Sequence, residues 1–420
     1  MIYIYDILLL LFFVPAVLLV ALRFRKRFAS EFLFRLGERF GYWDLAGFKN
    51  DKPLIWVHCA SLGEAKAVEP VLKKLAGYSI LITAVTLSGR QYALDMKLAD
   101  RVFFVPFDFS FIVKKVLKQV RASALLLVET ELWPGLITEA EKSGAKVIVV
   151  NARLSMHSYP SYRLFGFFWK PVLKSISVLC ARSKEDAARF KALGVPPDNI
   201  TVTGNIKYDN LSGNRQISKQ ELGFDPEDAV WVCGSTRKGE NESIINAFNE
   251  LKSFYPALKL VIAPRHTGRA GDIVEYVKRS GFSYALRSKG GTGATDCLVI
   301  DTFGELWKYY AAADIAFVGG SLVNKGGQNP IEPAAFAKPV LFGEHMGNFL
   351  SESRAIMDNG GGFMVRNGQE LFVKMKELLA DKDMRFAAGR KAFEAVAAQK
   401  GAVERTVALI KKCIKGRENE

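Results

Sequence analysis

Two glutamates follow a run of apolar residues in the stretch LLLVETELWP, residues 125–134. Glu129 and Glu131 are two positions apart, so they share one side of the chain if it stays extended. The apolar run is typical of a strand buried in a parallel sheet, and carboxylates are rarely buried unless they are paired or used. This stretch therefore predicts carboxylates that are placed for chemistry at the end of a strand.

Three other strand-like runs also end in polar residues. The first ends in HCASLGE, where Ser61 and Gly63 form a turn and Glu64 opens a helix. A glutamate in a first helical turn also complements the helix dipole, but its place at a strand end favours a general base. The other two runs offer hydroxyls, an amide, a guanidinium and a glycine, a set suited to a sugar: Thr86, Ser88 and Gly89, then Asn151, Arg153 and Ser155.

The second half of the chain carries glycine-rich turns at its strand ends. GSTRKGEN, residues 234–241, places Ser235 and Thr236 between a strand and a helix, where backbone amides can hold a phosphate. It is neither a Walker A loop nor a GxGxxG fingerprint, so an NTPase or a dinucleotide enzyme is not supported. APRH supplies Arg265 and a histidine to which we assign no catalytic role. The densest segment supplies two glycine pairs and a helix start suited to a nucleotide: Gly319, Gly320, Gly326, Gly327, Asn329, Pro330 and Glu332.

The elements that position these residues alternate between strand-like and helix-like runs from residue 53 onward. Such alternation predicts βαβ units and parallel sheets, whose ligands bind beyond the carboxyl ends of the strands. A polar stretch interrupts the pattern, which then restarts. We therefore expect an α/β protein with two Rossmann-like domains, and these boundaries: an N-terminal segment 1–27, a first domain 28–208, a linker 209–228, a second domain 229–400 and a basic C-terminal helix 401–420.

The composition points to a negatively charged partner. The formal net charge is +15 and the pI is about 9.4. Nucleic acid, an anionic membrane and a phosphorylated substrate all fit this charge, but no zinc-finger spacing or ribonucleoprotein motif supports nucleic acid. The five cysteines are dispersed without a CxxC pair, which argues against a disulfide framework or a zinc site and fits a reducing compartment.

The N-terminus is long and apolar enough to suggest a membrane anchor. Residues 2–22 contain a single charge, Asp6, and the basic stretch RFRKRF follows immediately. A signal peptide would carry its basic residues first, whereas charges after the run leave the body of the protein in the cytosol by the positive-inside rule. A helix that lies in the membrane interface without spanning it is the alternative.

The motifs, taken together and in order, resemble the bacterial Kdo transferases of lipopolysaccharide assembly. The resemblance covers nearly the whole chain: VHCASLGE, VETELWP, NARLS, TGNIKYD, APRH, DTFGELWKYYAAADIAFVGGSL and GGQNPIEPAAFAKPVLFG. It implies a GT-B fold, in which two Rossmann-like domains, one for the acceptor and one for the CMP-sugar, face each other across a cleft. It also implies an inverting enzyme at the cytoplasmic face of the inner membrane that moves Kdo from CMP-Kdo to a lipid A precursor, lipid IVA, without a metal or cofactor.

The resemblance assigns roles to individual residues. Glu64 matches the family's general base, while Glu129 and Lys207 match residues that support the transition state. A lysine suits the charge that builds on a departing CMP phosphate. Nine positions match the family's CMP-binding residues: Pro264, Arg265, Phe303, Gly304, Glu305, Asn329, Pro330, Ile331 and Glu332. We add four residues to this set from their place in the sequence: Ser235, Thr236, Gly319 and Gly320. Gln328 is a departure, because the family usually has histidine there.

Two other readings of the same features remain open. A UDP-sugar donor would keep the fold and change only the nucleotide. A membrane-tethered, nucleotide-sensing scaffold would need no turnover, and the concentration of carboxylates at strand ends disfavours it. The role of Glu131, the number of Kdo units transferred and the oligomeric state are left open by the sequence.

Overall fold

A computed structural model describes residues 2–23, 34–48, 51–156, 158–209 and 217–415. The basic stretch after the N-terminal helix, from residue 24, lies outside the described residues, as does most of the first half of the linker predicted at 209–228. The chain forms two compact units, one of residues 1–210 with 400–420 and the other of residues 211–399.

The first unit is a seven-stranded parallel sheet with helices between the strands. Its strand order is β3-β2-β1-β4-β5-β6-β7. The strands are β1 Leu54–Cys59, β2 Ser79–Ala84, β3 Arg101–Phe104, β4 Ala124–Val128, β5 Lys146–Ala152, β6 Ile176–Ala181 and β7 Ile200–Val202. The helices are α1 Ile2–Arg23, α2 Leu36–Arg39, α3 Leu62–Lys73, α4 Leu87–Asp95, α5 Ser110–Val120, α6 Pro134–Lys142, α7 Tyr159–Leu164, α8 Gly166–Lys174 and α9 Lys184–Leu193, with 3-10 turns at Pro197–Asn199 and Ile206–Tyr208.

The central strands of this sheet are mostly apolar because helices cover both of its faces. Every residue of β1, β2 and β4 is buried, and successive side chains of each strand enter two separate apolar cores. The strand order reverses between β1 and β4, whose residues pair directly, Val57 with Leu126. Such a reversal leaves a crevice beyond the carboxyl ends of the two strands. Glu64 and Glu129 follow these two strands.

The C-terminal helix, Ala402–Lys415, belongs to the first unit. It buries an apolar face in the same core as α3, with Val403, Val407 and Ile410 among its buried residues. The Asp209 carboxylate accepts hydrogen bonds from the backbone N–H groups of Gly401 and Val403, both at 2.6 Å, and so caps this helix. The end of the chain is thereby fixed to the turn that precedes the second unit.

Helix α1 packs on the first unit through polar and aromatic contacts. The Tyr5 hydroxyl donates to the buried Asp108 carboxylate at 2.8 Å, and the Asp6 carboxylate accepts from the Ser110 backbone N–H at 2.9 Å. The Phe13 ring lies edge-on to Phe107, 4.8 Å away. Within the described part of the chain, no helix combines the length and apolar character that a membrane crossing requires.

The second unit repeats the architecture of the first. Its seven parallel strands have the order β10-β11-β9-β8-β12-β13-β14. The strands are β8 Ala229–Thr236, β9 Leu258–Pro264, β10 Tyr284–Leu286, β11 Cys297–Val299, β12 Ile315–Val318, β13 Val340–Phe342 and β14 Gly362–Met364. The helices are α10 Asn241–Lys252, α11 Ala270–Arg279, α12 Leu306–Ala312, α13 Ile331–Ala335, α14 Leu350–Asp358, α15 Gly368–Ala380 and α16 Lys382–Ala397, with 3-10 turns at Gln220–Leu222, Thr267–Arg269, Arg287–Lys289 and Gly347–Phe349.

The order of this second sheet reverses between β8 and β12, which pair directly, Phe317 with Cys233. Ser235 and Thr236, predicted between a strand and a helix, are instead the last two residues of β8, where its pairing with β9 is irregular, and the glycine pair Gly319–Gly320 follows β12. The glycine-rich segments therefore lie at the crevice that the strand order creates. The α/β class with two parallel sheets, predicted from the alternating pattern, is confirmed.

Candidate active site

The Glu64 carboxyl lies in the first turn of α3, directly beyond the carboxyl end of β1. The chain turns from β1 into α3 at Ser61, the N-cap residue, and Gly63 lies in the first helical turn. The Glu64 Oε2 atom accepts a hydrogen bond of 2.5 Å from the backbone N–H of Ala60. The carboxyl group thus folds back towards the strand end, and its position is fixed by the main chain.

The surroundings of Glu64 raise its pKa from 4.5 to about 8. Burial is the largest cause, and the negative charges of Glu131 and Glu129 add to it, while backbone N–H groups of Ala60 and Ser61 act in the opposite direction. Both burial and neighbouring negative charge disfavour the ionised form. A carboxyl group whose pKa lies near neutrality can take up a proton from a substrate, as a general base must.

Glu129 adopts a backbone conformation that is uncommon for a residue with a side chain. Its φ is 61°, in the left-handed region, and its N–H still continues the sheet by donating to the Val150 carbonyl at 2.9 Å. The Glu129 Oε1 atom lies 2.5 Å from the Lys207 Nζ atom. Both side chains are partly exposed, so this ion pair faces solvent or a ligand. Strained conformations of this kind concentrate at functional sites.

The turn that carries Lys207 is held in place by two asparagines. The Asn151 side chain, at the end of β5, accepts from the Ile206 backbone N–H at 3.1 Å, and the Asn205 side chain accepts from the Lys207 N–H at 3.1 Å. Asn151 has a φ of 55° and is fully buried. Together with the Asp209 cap described above, these contacts fix the backbone from which the Lys207 side chain reaches Glu129.

Glu131 lies between an indole and a buried imidazole. The Trp133 Nε1–H donates to the Glu131 carboxylate at 2.8 Å, and the His58 Nε2 atom lies 3.6 Å from the same oxygen. Burial acts to raise the pKa of Glu131, but His58 and the Trp133 hydrogen bond outweigh it, and the pKa lies below its ordinary value. Glu131 is therefore a fixed negative charge at neutral pH.

The other ring nitrogen of His58 lies beside a buried hydroxyl. The Thr83 hydroxyl accepts from the Trp56 indole N–H at 2.9 Å and lies 3.1 Å from the His58 Nδ1 atom. Sequence reasoning did not single out His58, although a histidine in a buried strand next to a strand end was visible in VHCAS.

The residues predicted to bind the acceptor fall into two groups. The first joins the turns after β1 and β2: the Thr86 hydroxyl donates to the Ala60 carbonyl at 3.1 Å and accepts from the Gly89 N–H at 3.3 Å. A Cβ at Gly89 would lie 3.0 Å from the Ser61 backbone, so glycine allows this approach. Ser88 is exposed beside them. Arg153 lies apart from this group, where its carbonyl accepts from the Thr130 hydroxyl.

The strand ends at the reversal of the second sheet pack closely. Ser235 has a φ of 58°, and a Cβ at Gly319 would lie 2.5 Å from the Thr236 Cα atom. The Thr236 hydroxyl is buried and makes no hydrogen bond within the described residues. A hydroxyl of this kind is expected to have a partner. It is suited to a ligand that reaches this strand end.

Cations gather beyond β8 and β9. The Arg237 Nη1 atom lies 2.9 Å from the His266 Nε2 atom, and because a guanidinium can only donate, the imidazole accepts and is neutral. Slight burial and the charges of Arg237, Arg265 and Arg269 hold the pKa of His266 below its ordinary value. Pro264 ends β9, and the Arg265 N–H donates to the Thr236 carbonyl at 3.0 Å. This cluster favours an anionic ligand.

The predicted segment of residues 303–305 carries a carboxylate that is held by several donors. The Glu305 carboxylate accepts from Arg287 at 3.2 Å and from Thr302 at 2.7 Å, and these bonds, with Lys308, lower the pKa of Glu305 to about 2. Before it, Gly304 has a φ of 84° and the Phe303 ring is 78% exposed. Arg287 was not among the residues predicted from sequence, because it precedes a flexible-looking loop.

The segment that begins with Asn329 leads into the short helix α13. The Asn329 side chain accepts from the Ile331 N–H at 3.1 Å and donates to Glu332 at 3.4 Å, while Pro330 is the N-cap residue of α13. Gln328 lies over Gly320, whose carbonyl accepts from the Gly327 N–H at 2.8 Å. The structure therefore brings together the Gly319–Gly320, Gln328 and Ser235–Thr236 regions. No cluster of three or more metal-ligating side chains occurs in the part of the chain that the structure describes.

Comparison with known proteins gives a consistent set of relatives. The model of the 3-deoxy-D-manno-octulosonic-acid transferase (kdotransferase) family matches residues 34–210. A 3-deoxy-D-manno-octulosonic acid transferase of Haemophilus influenzae is 32% identical, with 90% of this chain and 91% of that protein covered. The transferase of Aquifex aeolicus is 32% identical, with 80% and 88% covered. A bifunctional glycosyltransferase/methyltransferase of Fusobacterium nucleatum is 35% identical, but this chain spans only 53% of its length.

Solved structures share the fold at low sequence identity. A glycosyltransferase from Rickettsia africae superposes with a TM-score of 0.60 at 13% identity, covering 87% of this chain and 99% of that chain. A UDP-GlcNAc 2-epimerase from Neisseria meningitidis bound to UDP-GlcNAc gives a TM-score of 0.59 at 15% identity, covering 87% and 100%. These similarities establish the architecture, which resembles that of GT-B glycosyltransferases.

The raised pKa of Glu64 predicts that the wild type loses stability as the pH rises and that a substitution of Glu64 prevents this loss. Between pH 4.5 and about 8 the unfolded carboxyl loses its proton while the folded one keeps it, so folding becomes less favourable as the pH rises. Glu64→Gln removes this cost and keeps an acceptor for the Ala60 N–H. We expect the variant to be more stable than the wild type near pH 8 and equally stable near pH 4, measured by chemical denaturation.

Glu141→Gln is the matched control, because Glu141 is exposed on α6. Its stability difference from the wild type should be small at both pH values. An equal effect of Glu64→Gln at both pH values, or a loss of stability near pH 8, would contradict the assigned environment of Glu64.

Proposed function

Since the chain belongs to the 3-deoxy-D-manno-octulosonic acid (Kdo) transferase family, we propose that it is an inverting, metal-independent glycosyltransferase that moves Kdo from CMP-Kdo to a lipid A precursor such as lipid IVA. The family places the protein among the glycosyltransferases of lipopolysaccharide biosynthesis. The observation that carries the proposal is the Glu64 carboxyl, which is held at the reversal of the first sheet and has a pKa of about 8.

Glu64 acts as the general base in this proposal. An acceptor hydroxyl oxygen attacks the anomeric carbon of Kdo, and its proton passes to Glu64. The bond between that carbon and the phosphate oxygen of CMP breaks, and its electron pair leaves with the phosphate. One displacement on the opposite face inverts the anomeric configuration. The base must lie within hydrogen-bond reach of the acceptor hydroxyl, and a pKa near the working pH makes it effective.

Lys207 and Glu129 support the transition state. The departing CMP phosphate gains negative charge, and a fixed cation stabilises such charge. The 2.5 Å contact between the Lys207 Nζ and Glu129 Oε1 atoms orients this cation, and the two asparagines fix its backbone. The hydroxyls and glycines after β1 and β2, with Arg153, are the proposed contacts of the acceptor and of Kdo.

The second unit is proposed to hold the CMP moiety. Arg237, Arg265 and Arg269 supply positive charge beyond β8 and β9, which suits a phosphate. The exposed Phe303 ring offers a face on which a base can stack. The buried Thr236 hydroxyl and the carboxylates of Glu305 and Glu332 can bond the sugar hydroxyls. UDP-sugars are the alternative donors against which this assignment is tested.

An anionic membrane is the proposed surface on which the protein works, with its body at the cytoplasmic face of the bacterial inner membrane. Helix α1 exposes a series of large apolar side chains, and Ile7 and Leu11 are 67% and 65% exposed. The net charge of +15 favours anionic lipid. Contact of α1 with the bilayer would bring the enzyme to its lipid acceptor.

The reaction is tested with wild type, Glu64→Gln and the control Glu141→Gln in detergent, using CMP-Kdo and tetra-acylated lipid A precursor. We expect product from the wild type and the control, and a loss of at least about a hundredfold in kcat for Glu64→Gln, because general base catalysis contributes about 10²–10⁴-fold. Product is measured by mass spectrometry. Unchanged kcat in Glu64→Gln would exclude Glu64 as the base, and product from UDP-sugars alone would replace the donor.

The membrane proposal is tested by flotation with vesicles of phosphatidylethanolamine and phosphatidylglycerol. The double variant Ile7→Asp/Leu11→Asp places two charges on the exposed side of α1, and we expect it to remain unbound while the wild type floats with the vesicles. Phe111→Asp, at an exposed position of α5, is the control for a lost surface aromatic. Equal flotation of wild type and the double variant would contradict a role for α1.

A further inference from the structure

Glu240 is a fully buried carboxylate in the second unit that sequence reasoning did not single out. It follows the GSTRKG turn and is the N-cap residue of α10. Its Oε2 atom accepts from the backbone N–H groups of Arg237 and Gly320, both at 2.7 Å. Its Oε1 atom accepts from those of Ser321 and Leu322, at 2.9 and 3.0 Å. Four main-chain donors from two separate turns therefore converge on one side chain.

This arrangement places a carboxylate of the protein where glycine-rich turns commonly bind an anion. Successive N–H groups of a turn form a concave site for negative charge. Here the three consecutive groups of Gly320, Ser321 and Leu322 all point at Glu240. No lysine or arginine side chain within the described residues forms an ion pair with Glu240, so the backbone dipoles compensate its charge. These amides are consequently occupied before any ligand arrives.

The two turns that Glu240 joins have little freedom to separate. The Gly319 N–H donates to the Gly234 carbonyl at 2.8 Å. The Ser321 hydroxyl donates to the Val318 carbonyl at 2.5 Å and accepts from the Gly343 N–H at 2.8 Å. Because a carboxylate has two oxygens that each accept two bonds, Glu240 alone can satisfy all four donors at once.

We propose that Glu240 is a positioning residue that holds the turn after β8 and the glycine turn after β12 in one fixed arrangement, and thereby sets the affinity for the donor nucleotide. By accepting from the Arg237 backbone N–H, Glu240 fixes the main chain that carries the Arg237 guanidinium, one of the cations beyond β8 and β9. Through Gly320, whose carbonyl bonds the Gly327 N–H, it fixes the segment that leads to Asn329. Anionic groups of the donor are then bound by side chains such as Arg237 and Arg265 rather than by the amides of residues 320–322.

The inference rests on the proposed function only in the identity of the nucleotide, and the test separates the two. Glu240→Gln keeps the size of the side chain but replaces one carboxylate oxygen with an NH2 group, which is a donor. Two of the four backbone N–H groups would then face another donor and have no acceptor. Glu242→Gln is the matched control, an exposed glutamate two residues later on the same helix. Glu240→Asp keeps the charge on a shorter side chain and should recover part of any loss.

The first measurement is hydrogen–deuterium exchange of the ligand-free proteins, read on peptides that cover residues 318–327. We expect slow exchange in the wild type and in Glu242→Gln, faster exchange in Glu240→Gln, and an intermediate rate in Glu240→Asp. This measurement needs no nucleotide. Equal exchange in the wild type and Glu240→Gln would overturn the proposal, whatever the donor is.

The second measurement is CMP binding by isothermal titration calorimetry, with donor and acceptor kinetics. Because hydrogen bonds to charged groups are stronger than those between neutral groups, we expect Glu240→Gln to weaken CMP binding and raise the donor KM by about tenfold to a hundredfold. The acceptor KM and kcat should be unchanged, whereas general misfolding would lower the active fraction without changing the donor KM. Faster exchange with unchanged CMP affinity would overturn the role in donor binding, and absence of CMP binding by the wild type would count against the proposed donor.

Discussion

The feature on which the candidate active site depends is the electrostatic effect of two other carboxyl groups, Glu131 and Glu129, on the partly buried Glu64 carboxyl at the reversal of the first sheet. Such a cluster is unfavourable unless each charge is compensated or suppressed. Glu129 is compensated by Lys207, and Glu131 by Trp133 and His58. Among the described residues, Glu64 has backbone N–H donors and no cationic partner, and its pKa rises to about 8. The uncompensated member of the cluster is the one suited to accept a proton.

The compensation of these charges extends through the first unit to the end of the chain. Lys207 reaches Glu129 from a turn that Asn151 and Asn205 fix, and Asp209 in the same turn caps the C-terminal helix. That helix packs in the core that also holds α3, the helix on which Glu64 lies. Glu64 and Lys207, to which we assign catalytic roles, are therefore connected through packed elements of the first unit, and left-handed backbone at Glu129 and Asn151 marks where the chain departs from regular geometry.

The fold and the place of the candidate site at strand ends could be predicted from the sequence because both follow from simple periodic rules. Strand-like and helix-like runs alternate, parallel strands end on one edge, Glu64 and Glu129 each follow a strand, and Ser235 lies at the end of one. What the sequence did not predict depends on contacts between distant segments. Nothing near Glu240 indicates that amides eighty residues later would bond to it. In the sequence His58 cannot be told apart from a core residue, because its proximity to Glu131 is seen only in the structure.

The C-terminal residues show the same limit. A basic helix over residues 401–420 was predicted, but its buried apolar face and its cap from Asp209 become visible only in three dimensions. Gln328 is a different case. The departure from the family pattern was visible in the sequence, and the structure places the side chain over Gly320, beside the turn that Glu240 holds.

We propose that Glu64 must be ionised to act, and that the charge of Glu131 adds to burial in raising the pH at which this occurs. The most direct measurement is the pH dependence of kcat/KM for Kdo transfer by wild type and Glu131→Gln, a variant whose amide oxygen still offers an acceptor to the Trp133 indole. For the wild type, kcat/KM should rise through about pH 8 and then level off. Removing the charge of Glu131 favours ionised Glu64, so the variant's profile should rise at lower pH. Identical profiles, or a wild-type rate that does not change over this range, would contradict the account.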